Sequence, residues 1–91
     1  MGRNQATFRE GVGEAEQQYA QALRDLRDVR GETQQELGRL LGWSVSMVSR
    51  FEAGTERPDR ATHQRYCALA PTEALRQQVT TAYGGLPPNG S

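Results

Sequence analysis

The stretch TQQELGRLLGWSVSMVSRFEAG, residues 33–54, constrains the fold more than any other part of the chain. Its pattern predicts two short helices with a glycine between them. Thr33 and Glu36 have capping-box spacing, in which a hydroxyl and a carboxylate each satisfy an amide at the helix start. Leu37, Leu40 and Leu41 supply an apolar stripe, and Gly42 is placed to stop the helix. Ser44 is placed to cap the next helix, which runs to about Ala53 with Gly54 as its stop signal. Two helices cross steeply only where side chains at the crossing are small and the connection turns sharply. Gly38 is the small residue, and Gly42, four positions on, can take the positive φ of a tight turn. Leu37, Leu41, Val48 and Phe51 then tie both helices to one core. Val45, Ser46, Ser49 and Arg50 face away from it, a set of small side chains with one cation.

The flanking sequence is helical as well. In EAEQQYAQALRDLRDVRG, Tyr19, Ala22, Leu23, Leu26 and Val29 fall on one side of a helix that Gly31 ends. After TERP, Asp59 is an N-cap for RATHQRYCALA, with Tyr66 and Leu69 facing inward. Pro71 fits the first turn of a fifth helix, TEALRQQVTTAY, whose stripe is Leu75, Val79 and Ala82 or Tyr83. No alternating β-branched run and no internal repeat is present. Residues 1–13 hold three glycines and read as a flexible arm, where Gly11 and Gly13 cut short any helix capped by Thr7 and Glu10. GGLPPNGS closes the chain as a flexible tail, 84–91. The expected organisation is an all-α domain over 14–83, its informative motif at 34–53.

Ninety-one residues suffice for one small domain. No apolar run approaches a membrane span or a signal-peptide core, and a lone cysteine, Cys67, forms no internal disulfide. The expected location is therefore the cytoplasm. Eleven Arg offset eleven Asp and Glu, with no Lys, so no broad attraction to a polyanion is expected. Any grip on phosphate must come from local arrangement. His63 and Cys67 lie four apart with no ligand cluster or third catalytic member around them, so neither a metal, a cofactor nor an enzyme activity is expected.

The segment LRDLRDVRGETQQELGRLLGWSVSMVSRFEAGTERPD resembles the xenobiotic-response-element type of helix-turn-helix domain, the phage repressor and Cro class. The likeness covers about residues 19–70, and LGWS…VSRFEAG…RP is similar to regulators of high-GC Gram-positive bacteria. It implies a five-helix, lambda-repressor-like fold with the third helix in the major groove of double-stranded DNA. It also implies a bacterial transcriptional regulator, such as a repressor, acting as a homodimer on a palindrome with half-sites ~34 Å apart. Carried over by position, Val45, Ser46, Ser49 and Arg50 form the reading face, Arg50 being able to donate two bonds to one guanine. Thr33, Gln34 and Ser44 fall at the DNA-facing helix starts, and Arg57 and Arg60 at phosphate positions. Arg27 and Glu52 match an ion pair linking the first helix to the third, and Trp43 packs on the domain. Glu32, Met47, Glu56 and Asp59 depart from the pattern and weaken the expected grip on phosphate. The alternative is a protein-interaction module, an antitoxin-like or regulatory partner on the same fold. The chain could equally be the DNA-binding part of a longer protein.

Overall fold

Four of the five helices begin at a side chain that accepts an amide hydrogen, which is why their boundaries are sharp. Thr33 accepts from Glu36, Ser44 from Met47, Asp59 from Thr62 and Thr72 from Leu75, each cap contributing about 1 kcal/mol. The computed structural model describes residues 13–88: α1 Glu14–Arg30, α2 Gln34–Leu41, α3 Val45–Ala53, α4 Arg60–Leu69 and α5 Glu73–Gly84. Among the described residues there is no strand, and no helix is long and apolar enough to cross a membrane. Most of the expected arm, with Thr7 and Glu10, and the end of the expected tail lie outside the described residues. Gly84 closes α5, and Leu86 packs against the core.

α1 spans the domain and packs on α3 and α5, while α2 packs on α3 and α4. Tyr19, Leu23 and Leu26 meet Leu37 and Leu41 of α2, Val48 and Phe51 of α3, Tyr66 of α4 and Val79 of α5 in one core. Leu69, Ala82 and Tyr83 pack at its margin.

The crossing of α2 and α3 is set by two glycines. A Cβ at Gly38 would stand 2.6 Å from the Trp43 carbonyl oxygen, a distance no side chain tolerates. The Gly38 carbonyl in turn accepts the amides of Gly42 and Trp43 at 2.8 and 2.9 Å. Gly42 sits at φ 81°, which an L side chain adopts only with strain.

Two residues of the expected apolar stripes are exposed. Leu40 is 49% exposed because Gly38, pressed by α3, draws the buried arc of α2 toward its own side. At about 100° per residue, Leu37, Leu41 and Gly38 fill that arc and Leu40 falls outside it. Val29 is 59% exposed. The last turn of α1 reaches the domain through Arg27 and Arg30 instead, whose guanidiniums bond to Glu52 and to the Leu69 carbonyl. The start of α5 also differs from expectation. Thr72 takes the cap, so Pro71 lies before the helix and not in its first turn. Its ring forces Ala70 into extended backbone (φ −61°, ψ 124°), which ends α4.

At the junction of α1, α4 and α5, the Tyr19 hydroxyl lies 2.8 Å from His63 Nδ1. The His63 ring stacks on Tyr83 at 3.7 Å and 9°. Cys67 Sγ is 3.6 Å from both His63 Nε2 and Thr80 Oγ1. Burial first, and the nearby Arg60 charge second, hold the His63 imidazole below its ordinary value. Folding therefore favours the neutral ring, and its contribution is full above the unfolded imidazole value of ~6.5 and lost as pH falls toward the lower folded value.

Two outcomes follow from this packing. Gly38→Ala is expected to destabilise the domain by about 1–3 kcal/mol in urea unfolding, because the Trp43 backbone must move. The thermal midpoint is expected to fall between about pH 7 and pH 5, and His63→Gln to flatten that step; a wild-type midpoint constant across this interval would contradict the assignment.

Candidate nucleic-acid interface

A buried carboxylate orients α3. Glu52, in the last turn of α3, is only 3% exposed, and an anion so placed needs donors on every side. Arg27 of α1 supplies two, Nε at 2.7 Å and Nη2 at 3.1 Å. Gln34, the first residue of α2, supplies a third through Nε2 at 3.0 Å. Arg24 Nη1 donates to the Glu52 backbone carbonyl, covering the C-terminal end of α3. The Arg27 guanidinium is held more firmly protonated by its bond to Glu52. α1, α2 and α3 thus converge on one side chain, with the Gln34 amide turned inward to it.

With its inner face committed to Val48, Phe51 and Glu52, α3 leaves Val45, Ser46, Ser49 and Arg50 exposed, Val45 by 47%. Met47 is half-buried and packs against the core. Ser44 caps α3 with an uncharged hydroxyl, and the first turn carries no acidic residue. The positive end of the helix dipole is therefore unneutralised there. At α2 the cap is Thr33, and the Glu36 carboxylate closes the box by accepting the Thr33 amide at 2.9 Å.

The arginines divide into two groups. Arg30 forms a two-pronged pair with Glu32 (2.6 and 2.9 Å) and also donates to the Leu69 carbonyl. Arg65 donates to the Leu41 carbonyl, and Arg76 pairs with Glu73. Arg57 lies 4.0 Å from Glu16, turned toward α1. Arg39, Arg50 and Arg60 are exposed and have no hydrogen-bond or ion-pair partner among the described residues. Of the sequence-derived site residues, Val45, Ser46, Ser49 and Arg50 thus share one exposed face, Thr33 and Ser44 are spent on caps, Gln34 on Glu52 and Arg57 on Glu16. Sequence reading overlooked Arg39. The bonds of Arg24, Arg30 and Arg65 to the Glu52, Leu69 and Leu41 carbonyls were overlooked as well, because those carbonyls lie far along the chain. Trp43 packs edge-on against Phe51 (5.9 Å, 87°) while remaining 39% exposed.

Among the described residues, no group of three or more His, Cys, Asp or Glu could hold a metal ion.

Removing Arg27 takes two of the three donors from the buried Glu52 carboxylate and leaves Gln34 alone. Arg27→Met is expected to cost about 3 kcal/mol in chemical unfolding. Glu52→Gln is expected to cost less, since Arg27 can turn to water. Equal costs would argue against this account.

A family model described as a helix-turn-helix domain matches residues 18–78, more than half of the chain. No curated protein and no solved structure matches. The match runs from within α1 through α4 to the first half of α5, including the Glu52 hub and the Gly38–Gly42 crossing. On this match and this architecture, the chain belongs to the helix-turn-helix domain family.

Proposed function

We propose that this protein is a sequence-specific regulator that binds double-stranded DNA with α3 in the major groove. The observation that carries the reading is the outer face of α3. It is exposed, built of small side chains around one unpaired arginine, and begins at a helix end without acidic residues. Small side chains let the helix backbone approach base edges closely, and Arg50 has the planar fork that suits guanine O6 and N7. Val45 suits a thymine methyl, and Ser46 and Ser49 suit a base or a phosphate.

Electrostatics support the same face. The chain is neutral overall, and several of its acidic groups are engaged, Glu16, Glu32, Glu52 and Glu73 with arginines and Glu36 and Asp59 with amides, while Asp28 and Glu56 have no side-chain hydrogen bond or ion pair among the described residues. Arg39, Arg50 and Arg60 stay unpaired on α2, α3 and the start of α4. Phosphate contacts are assigned to Arg60, to Thr33 and Ser44 at the helix starts, and to Gln34, whose Nε2 keeps a second hydrogen beyond the one given to Glu52. Arg57 would join them on release from Glu16. A homodimer on a palindromic operator completes the reading, acting by occlusion or recruitment at a promoter in a bacterial cytoplasm.

A second reading, a protein-binding module, is favoured by the exposed Leu40 and Val29. Selection from a random duplex pool at near-physiological salt separates the two. The DNA reading expects a palindrome with a guanine in each half-site. Arg50→Ala should then lose about 1–3 kcal/mol of discrimination at that guanine with an unchanged thermal midpoint. A folded domain that enriches no sequence supports the protein-binding module.

A further inference from the structure

The α2–α3 turn is joined to α4 by side-chain hydrogen bonds as well as by the core. α4 packs on α2 and α5, and its Tyr66 meets Phe51 of α3 edge-on at 6.3 Å. Two hydrogen bonds cross the gap to the turn. Arg65 Nη1 donates to the Leu41 carbonyl at 2.8 Å, its guanidinium lying 3.3 Å from where a Cβ of Gly42 would stand. Trp43 Nε1 donates to Thr62 Oγ1 at 3.0 Å.

The second bond joins two helix starts. Trp43 immediately precedes Ser44, the cap of α3. Thr62 is 3% exposed, and its amide donates at 2.8 Å to Asp59, the cap of α4. One side-chain bond therefore lies between the α3 cap and the first turn of α4, where the unpaired Arg60 stands. Thr62 is buried in the first turn of α4, and the Trp43 ring is braced edge-on by Phe51.

We infer that the Trp43–Thr62 hydrogen bond positions Arg60 for a DNA phosphate while α3 reads the bases. The inference rests on the DNA-binding reading proposed above. Trp43 and Thr62 are positioning residues: they act through Arg60 and through the start of α3, and touch no DNA themselves. Loss of the bond lets the first turn of α4 shift relative to α3, and the Arg60 contact is lost although the core stays intact.

The test uses the duplex selected from the random pool and measures affinity against salt concentration. Thr62→Val removes the hydroxyl at nearly constant volume and keeps the Thr62 amide that Asp59 caps. It is expected to weaken binding about fivefold, the effect of one lost hydrogen bond. The slope of log K against log salt should become shallower by ~0.9, one phosphate contact. Arg60→Ala should give the same change, and the double variant should be no weaker than Arg60→Ala alone. Thr62→Ser, which keeps the hydroxyl, should restore the wild-type slope. Trp43→Phe serves as a second route to the same loss should Thr62→Val fold poorly. The inference is overturned if Thr62→Val and Trp43→Phe lower only the thermal midpoint, or if the Thr62 and Arg60 effects multiply. A wild-type domain that selects no duplex overturns the DNA-binding reading and this inference together; wild-type binding with an unchanged Thr62→Val slope overturns this inference alone.

Discussion

Glu52 cannot be buried without donors, and the fold is arranged to provide them. A carboxylate shielded from water loses its hydration, and only a close, well-directed set of hydrogen bonds offsets that loss. Arg27 and Gln34 reach it from α1 and α2, so three helices are held to one point at the end of α3. The planar guanidinium makes both of its bonds from fixed geometry, which a lysine ammonium could not match. The tilt of α3, and with it the direction of its outer face, depends on this junction as much as on Val48 and Phe51.

The same chemistry recurs through the domain. Helix ends leave carbonyl groups without intrahelical partners, and arginines from other helices cover three of them: Arg24 at Glu52, Arg30 at Leu69 and Arg65 at Leu41. Each link ties a helix end to a distant helix in a chain too small for a large core. This use of arginine leaves Arg39 of α2, Arg50 of α3 and Arg60 of α4 without a hydrogen-bond or ion-pair partner among the described residues.

Much of the fold was legible because its signals are local. A hydroxyl three residues before a carboxylate, or a glycine four residues after another, acts within one turn of backbone; the caps at Thr33, Ser44 and Asp59 and the crossing at Gly38 are of this kind. Leu40 and Val29 were misread because an apolar residue at helical spacing is buried only if a neighbouring element covers it. Pro71 was placed inside α5 because proline suits a first turn, but the Thr72 hydroxyl outcompeted it for the boundary. The exposed outer face of α3, with Val45, Ser46, Ser49 and Arg50, was visible as the complement of Val48 and Phe51. The commitments of Gln34 to Glu52 and of Arg57 to Glu16 were not, since each joins residues on different helices or loops.

By itself, then, the sequence determined five helices, the caps at Thr33, Ser44 and Asp59, the sharp turn at Gly42 and the identity of the outward residues of α3. All of these follow from backbone sterics and hydrogen bonding within a few residues. Tertiary structure alone decided which arginines are spent on carboxylates and helix ends, which remain free, and how the start of α4 is fixed beside the start of α3 through Trp43 and Thr62. Several of those outcomes depend on groups far apart in the chain, 19 positions for Trp43 and Thr62 and 39 for Arg30 and the Leu69 carbonyl. Only the packed core brings such partners within bonding distance.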